Sequence, residues 1–323
     1  MTLKAVVTGC GAYLPEKILT NDDLAKMVDT SDEWIRERTG IRERHIVGDD
    51  EKTSDLAAAA ARAALDAAGR KPADIDLVVV ATTTPDLTFP STAAITQAKL
   101  GIELGAAFDI QAVCTGFIYA LATAEKFIAS GQHERALVIG AESFSRILDW
   151  TDRSTCVLFG DGAGAFVLEG QDEARANGRG VMNSYLRCDG RLVDLLYVDG
   201  GVSATRTTGH VRMQGNKVFR EAVNRISEAM RKVVADAGVE VTDIDWFVPH
   251  QANERIIQGV VKKLDLRTDQ VVSTIAGQGN TSAASIPLAY NAGVADGRIK
   301  EGDLVLIEGM GGGLTWGAAL LRA

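Results

Sequence analysis

Short runs of aliphatic and β-branched residues alternate along the chain with stretches in which apolar residues recur every three or four positions. Leu77–Val80, Ala136–Ile139, Ala165–Leu168 and Leu304–Ile307 carry no alternating polar positions, which predicts strands covered on both faces. Ala5–Thr8, Ala107–Ile110 and Trp246–Pro249 read as further extended segments. Ser54 or Asp55 is placed to cap a helix that runs through Ala-rich sequence to Ala68, where Gly69 stops it. Phe117, Leu121, Ala124 and Ile128 keep helical spacing up to Gly131. Strands separated by helices predict an α/β fold.

The pattern is written twice. Ala68-Gly69, four residues, Asp74-Ile75-Asp76 and a strand recur as Ala237-Gly238, four residues, Asp243-Ile244-Asp245 and a second strand. Gly164–Leu168, near the end of the first half, matches Gly317–Leu321 at the end of the chain. The polar stretch Gln171–Gly180 is the expected junction. Two halves follow, 1–170 and 171–323, related by a pseudo-dyad. Aligning the helix-ending Gly131 with Gly297 sets Cys114 opposite Asn280, so both are expected to face one central site.

Composition narrows the possibilities. A length of 323 residues allows two domains. The net charge of −9 disfavours nucleic acid as a partner. No apolar run is long enough to predict a membrane span, and no signal peptide is evident. Cys10, Cys114, Cys156 and Cys188 show no CxxC spacing, so the expectation is a reduced, cytoplasmic protein without a metal centre.

Candidate chemistry lies at three points. Cys114 falls between the extended Ala107–Ile110 and the helix that follows. A sulfur at a helix N-terminus meets free N–H groups that favour thiolate, the form that attacks thioesters. His250 follows the Trp246–Pro249 strand, and α/β proteins place reactive groups at strand ends. Asn280 lies in Gly277-Gln278-Gly279-Asn280-Thr281-Ser282. Taken singly, each also fits a bland role: a small buried hydrophobe, a structural imidazole, a turn residue. The Gly309–Gly313 run allows close backbone approach. Neither it nor Gly160-Asp161-Gly162-Ala163-Gly164 has the strand–helix context of a dinucleotide fingerprint. That weakens a dehydrogenase reading.

In this order the residues resemble the β-ketoacyl-acyl-carrier-protein synthase III family of the thiolase-fold superfamily. The resemblance is carried by Ser31-Asp32-Glu33-Trp34-Ile35, Arg38-Thr39-Gly40-Ile41 and Phe159–Gly164. Pro249-His250-Gln251-Ala252-Asn253, Gly279–Ser285 and Gly311–Gly317 add to it. It implies a duplicated αβαβα fold and an acyltransferase with Cys114, His250 and Asn280 as catalytic residues. By that resemblance Cys114 is expected to take an acyl group, acetyl, from a coenzyme A thioester. Malonyl on an acyl carrier protein then loses carbon dioxide, and the enolate attacks the acyl carbon. His250 and Asn280 stabilise the enolate, while the N–H groups of Cys114 and Gly312 form a second oxyanion hole. No cofactor is implied beyond the coenzyme A substrate. Val113, Thr115, Gln278 and Glu254 depart from the family's usual wording, which bears on acyl preference and carrier affinity.

The resemblance also implies partner surfaces. Trp34, Arg38, Arg153 and Asn216 are expected to contact coenzyme A, with Trp34 stacking on adenine and Arg38 meeting phosphate. Gln251, Ala252, Asn253, Glu254, Arg255, Lys262, Lys263 and Arg220 are expected at the carrier surface. Arg255, Lys262 and Lys263 share a helix face opposite Ile256, Val260 and Leu264, and that basic face suits an acidic carrier. Phe89 is expected to cross a homodimer interface and limit the acyl pocket, with core packing as the other reading. The same residues also suit a starter-unit enzyme of a specialised pathway. A non-catalytic carrier-binding protein would have no use for the triad.

Overall fold

The computed structural model describes residues 3–323. Five layers stack as helix, sheet, helix, sheet, helix. The first sheet runs Lys4–Tyr13, Gly162–Gln171, Arg135–Glu142, Leu77–Ala81, Ala106–Ile110. Gly162–Gln171 is antiparallel to both its neighbours, and the last two strands join Arg135–Glu142 in parallel. The second sheet runs Trp246–Pro249, Leu304–Gly311, Thr315–Arg322, Gly180–Cys188. Every strand of the first sheet therefore lies within residues 4–171, and every strand of the second within 180–322.

The uniformly apolar strands are explained by their two covered faces. Val79, Val138 and Phe166 point into the central layer with Val248, Val305 and Ile307 from the other sheet. Between them lie two helices, Gly116–Ala129 and Ser285–Ala295, which contribute Phe117, Leu121, Ile286 and Tyr290. Phe117 meets Phe166 edge-on at 4.9 Å between ring centroids. Val78, Val80, Leu137 and Ile139 point the other way, against the helix Thr53–Ala68. That helix is Ala-rich because it lies directly on backbone. A Cβ at Gly11 would come within 2.3 Å of the Ala64 nitrogen. Its cap differs from the expected one: Asp55 accepts from the Lys52 N–H at 3.0 Å, while Ser54 is buried. The Gly215–Asp236 and Glu254–Leu264 helices cover the second sheet with Ile226, Met230, Ile257 and Val261.

Several equivalent elements of the two halves keep one spacing. Equivalent points are 169 residues apart: Pro72–Asp74 and Val241–Asp243, Leu77 and Trp246, Arg135 and Leu304. Strand register repeats too, since Leu77 pairs with Ala136 and Trp246 with Val305. The short turns Val113–Thr115 and Ser282–Ala284 obey the same spacing, and Val113 and Ser282 share a φ of 49°. The helix after each turn differs in length, with 14 residues in the first copy and 11 in the second. Aligning the glycines that follow these helices therefore slips the register by three. The dyad partner of Cys114 is Ala283, not Asn280, and that of His250 is Ala81. Sequence alignment at the helix ends misplaced the pair because the length difference accumulates before those glycines.

Candidate active site

Cys114 occupies the middle of the Val113–Thr115 turn, which runs directly into the Gly116–Ala129 helix. Val113 enters the turn with a positive φ, a conformation that costs a β-branched residue of order 1–3 kcal/mol. The second half closes over this turn. A Cβ at Gly311 would lie 2.6 Å from the Cys114 nitrogen, and one at Gly309 3.1 Å from the Cys114 oxygen. The glycine run is thus required by close contact with the nucleophile's backbone. Neither the Cys114 N–H nor the Gly312 N–H takes a backbone acceptor among the described residues.

Cys114, His250 and Asn280 line a single cavity of about 390 Å³. All three are buried. Burial pushes the Cys114 thiol up to about 12 and the His250 imidazole down to about 3. Burial thus opposes the thiolate that the helix N-terminus favours. Burial favours the neutral form of both side chains, which line the same cavity.

Backbone contacts aim the two polar side chains. His250 follows Pro249 at the strand end, with its N–H donating to the Glu308 carbonyl at 2.8 Å. Its Nδ1 lies 2.6 Å from Ser285 Oγ. Asn280 is clamped from both sides: its N–H donates to Leu158 O at 2.9 Å, and its carbonyl accepts from the Gly160 N–H at 3.0 Å. Its Oδ1 accepts from the Ser282 N–H at 2.9 Å, which turns the amide NH₂ away from Ser282.

The cavity opens past Trp34, Arg38, Arg153 and Asn216. Both guanidinium groups lie over the Trp34 ring, Arg38 at 4.4 Å and Arg153 at 5.0 Å. Arg153 also donates to Asp29 O at 2.6 Å. Ala252, Asn253, Arg255 and Ile256 form the opposite lip. Arg255 Nε donates to Glu37 O at 3.0 Å and ties this lip to the Asp32–Thr39 helix. Glu254 packs on Gly40, where a Cβ would lie 2.7 Å from the Glu254 Cβ. Lys262, Lys263 and Arg220 are exposed and lie outside the cavity lining.

Three expectations need correction. Gln251 is fully buried and faces no partner: it donates to Pro249 O at 2.7 Å and accepts from the Thr274 and Ile275 N–H groups at 2.8 and 3.1 Å. It is the brace of the loop that leads to Asn280. Ile256 lines the cavity, while Ile257 takes the core position. Phe89 is 82% exposed, so it is not core packing, and within one chain it does not reach the cavity.

Sequence reasoning missed two buried carboxyls and a serine. Glu308 lines the cavity at 2% exposure with no side-chain hydrogen bond to Oε2, and burial raises its acid to about 8. Glu142 is fully buried and raised to about 7 by burial, although its Oε2 accepts from Thr84 Oγ1 at 2.7 Å. A charged residue inside the apolar run Leu304–Ile307-Glu308 was the available signal. Ser285 carried none beyond its motif. Asp161, from the glycine-flanked segment, is structural: it accepts from the Val47 and Ser145 N–H groups, each at 2.8 Å.

Comparison with known proteins is decisive. Residues 108–190 match the 3-oxoacyl-[acyl-carrier-protein (ACP)] synthase III profile, and 234–323 match its C-terminal profile. A β-ketoacyl-[acyl-carrier-protein] synthase III of Caulobacter vibrioides is 60% identical over 321 residues, spanning 99% of this chain and 100% of that protein. The chain belongs to the β-ketoacyl-[acyl-carrier-protein] synthase III family. The 3-oxoacyl-[acyl-carrier-protein] synthase III of Aquifex aeolicus superimposes with a TM-score of 0.94 at 46% identity, covering 99% of this chain and 100% of that one. The priming β-ketosynthase of the R1128 polyketide pathway does so with a TM-score of 0.94 at 36% identity, covering 99% and 96%. The thiolase-like fold and the condensing acyltransferase class expected from the resemblance are thereby established.

Proposed function

We propose that this enzyme joins an acyl-coenzyme A primer, acetyl in the first instance, to malonyl-acyl-carrier-protein and so begins fatty acid synthesis. One observation carries the reading: a nucleophilic sulfur and two polar side chains with free N–H capacity line the same cavity. In acylation, a bond forms from Cys114 sulfur to the acyl carbon and the carbon–sulfur bond to coenzyme A breaks. In condensation, malonyl releases carbon dioxide and leaves its electron pair as a thioester enolate. His250 and Asn280 donate to the enolate oxygen. The enolate carbon attacks the acyl group, and the resulting oxyanion meets the Cys114 and Gly312 N–H groups. Collapse expels the Cys114 thiolate, which takes up one proton. Donors fixed in a dry cavity stabilise developing charge without reorganisation.

Trp34, Arg38, Arg153 and Asn216 receive the nucleotide end of coenzyme A, and Arg255 with the exposed Lys262, Lys263 and Arg220 receives the acidic carrier. Because the arginines cover Trp34, adenine stacking requires one of them to swing toward phosphate. A homodimer is supported by the first sheet's outermost strand, Ala106–Ile110, which is paired on one side only, and by exposed Leu87, Phe89 and Leu104. In that assembly Phe89 reaches the partner's acyl pocket. No helix among the described residues is long and apolar enough to cross a membrane, and the reaction is assigned to the cytoplasm. The likeness to a priming ketosynthase supports a second reading, a starter-unit enzyme of a specialised pathway. A primer panel with malonyl-acyl-carrier-protein tests both. Acetyl preference and a β-ketoacyl product that vanishes in Cys114→Ala support the first, and preference for an unusual starter supports the second. Product formation without the sulfur defeats both.

A further inference from the structure

A single side chain holds the His250 ring from behind. Ser285 Oγ lies 2.6 Å from Nδ1 and 3.3 Å from the backbone nitrogen of Gln251. Ser285 is fully buried at the start of its helix. Its hydroxyl has no third hydrogen-bond partner among the described residues. A hydroxyl has one proton to give and two lone pairs to offer. The Gln251 N–H can only donate, so it uses one lone pair. If Nδ1 also bore a proton, the hydroxyl would accept twice and its own proton would be buried without an acceptor. Such an unmade bond costs roughly 1–3 kcal/mol. With Nδ1 bare, the hydroxyl donates to it and every group is satisfied.

We propose that Ser285 is a positioning residue that fixes His250 as the tautomer carrying its proton on Nε2. Nε2 has no partner among the described residues, and the ring lines the cavity. The imidazole therefore meets substrate as a donor, as the enolate requires; this rests on the condensing role assigned above. Asn280 is oriented by the same logic, because the Ser282 N–H occupies its Oδ1 and leaves the NH₂ free. One short segment, Ser282–Ser285, thus sets the polarity of both donors.

The tautomer also assigns a proton. An Nε2 that already bears hydrogen offers Cys114 no lone pair. In acylation the thiol proton of Cys114 therefore ends on the departing coenzyme A sulfur, without a stop on His250. Acylation and condensation should then depend on Ser285 very differently.

Nitrogen NMR of protein labelled at its four histidines reads the tautomer directly, with His250→Ala identifying the signal. A protonated Nε2 with a bare Nδ1 is expected; a protonated Nδ1 overturns the proposal even if no variant folds. In kinetics, Ser285→Ala should slow condensation of pre-acylated enzyme roughly ten- to a hundredfold, leave Cys114 acylation within about twofold, and be restored in part by Ser285→Thr. If Ser285→Ala condenses normally while His250→Ala does not, the tautomer assignment fails and the functional reading stands. If His250→Ala also condenses normally, the functional reading itself fails.

Discussion

The two turns that begin the central helices, Val113–Thr115 and Ser282–Ala284, are the same piece of backbone used for different work. They share a positive φ of 49° at their first residue and a 3₁₀ geometry leading into a buried helix. The first presents a sulfur at its centre. The second has Ala283 there, fully buried against the first half: a Cβ at Gly140 would lie 2.2 Å from the Ala283 oxygen. The second copy contributes instead through what precedes and follows the turn, Asn280 and Ser285. Duplication supplied the scaffold, and the site is asymmetric because its chemistry is.

The strongest way to break the comparison is to move the sulfur. Cys114→Ala should abolish acyl transfer, with no acetyl adduct by intact mass after incubation with acetyl-coenzyme A. Adding Ala283→Cys to that variant should not restore it, since the dyad-related position has no cavity before it; an adduct at residue 283 would show that the turns are interchangeable. Next in size, His250→Ala and Asn280→Ala should each lower condensation roughly 10²–10³-fold while Cys114 still acylates, measured by separating the two half-reactions. Equal losses in both half-reactions would count against the donor roles.

Smaller is the effect at the cavity lip. Arg255→Glu should raise KM for the malonyl carrier about tenfold by reversing a rim charge, with acylation by coenzyme A thioester nearly unchanged. The same loss in both steps would assign Arg255 to the tunnel rather than to the carrier.

The smallest effect is on stability. Glu308 is raised to about 8 in the folded chain from 4.5, so between these values the folded state keeps a proton that the unfolded state releases. Stability from this group is full below pH 4.5 and declines as pH rises toward 8, by at most about 1.4 kcal/mol per pH unit. His250 acts in the opposite sense: lowered from 6.5 to about 3, it costs stability as pH falls through that window. Glu308→Gln should flatten the loss of Tm between pH 6 and 8 and leave the acid limb intact. An unchanged alkaline slope would mean the carboxyl titrates normally.

Much of this was legible in the sequence for physical reasons. Strands covered on both faces must be apolar throughout, so Leu77–Val80 and Leu304–Ile307 declared a layered sheet. Cys114, His250 and Asn280 stood out because their motifs recur in a known family. Gln251 was misjudged from that same motif, since a sequence does not distinguish a polar side chain that faces a partner from one that braces a loop. Glu308 and Ser285 were missed because their significance lies in the hydrogen bonds they lack or share, and these exist only in three dimensions. The burial that opposes a Cys114 thiolate was not legible, because a helix terminus is visible in a sequence whereas depth is not.

The glycines at 309 and 311 press the second half's last hairpin directly onto the Cys114 peptide. The nucleophile's geometry is therefore not a property of the half that encodes it. A chain cut at the 171–180 junction would yield two pieces, neither of which holds a formed reaction centre. Alkylation of Cys114 during refolding would then report when the halves have docked.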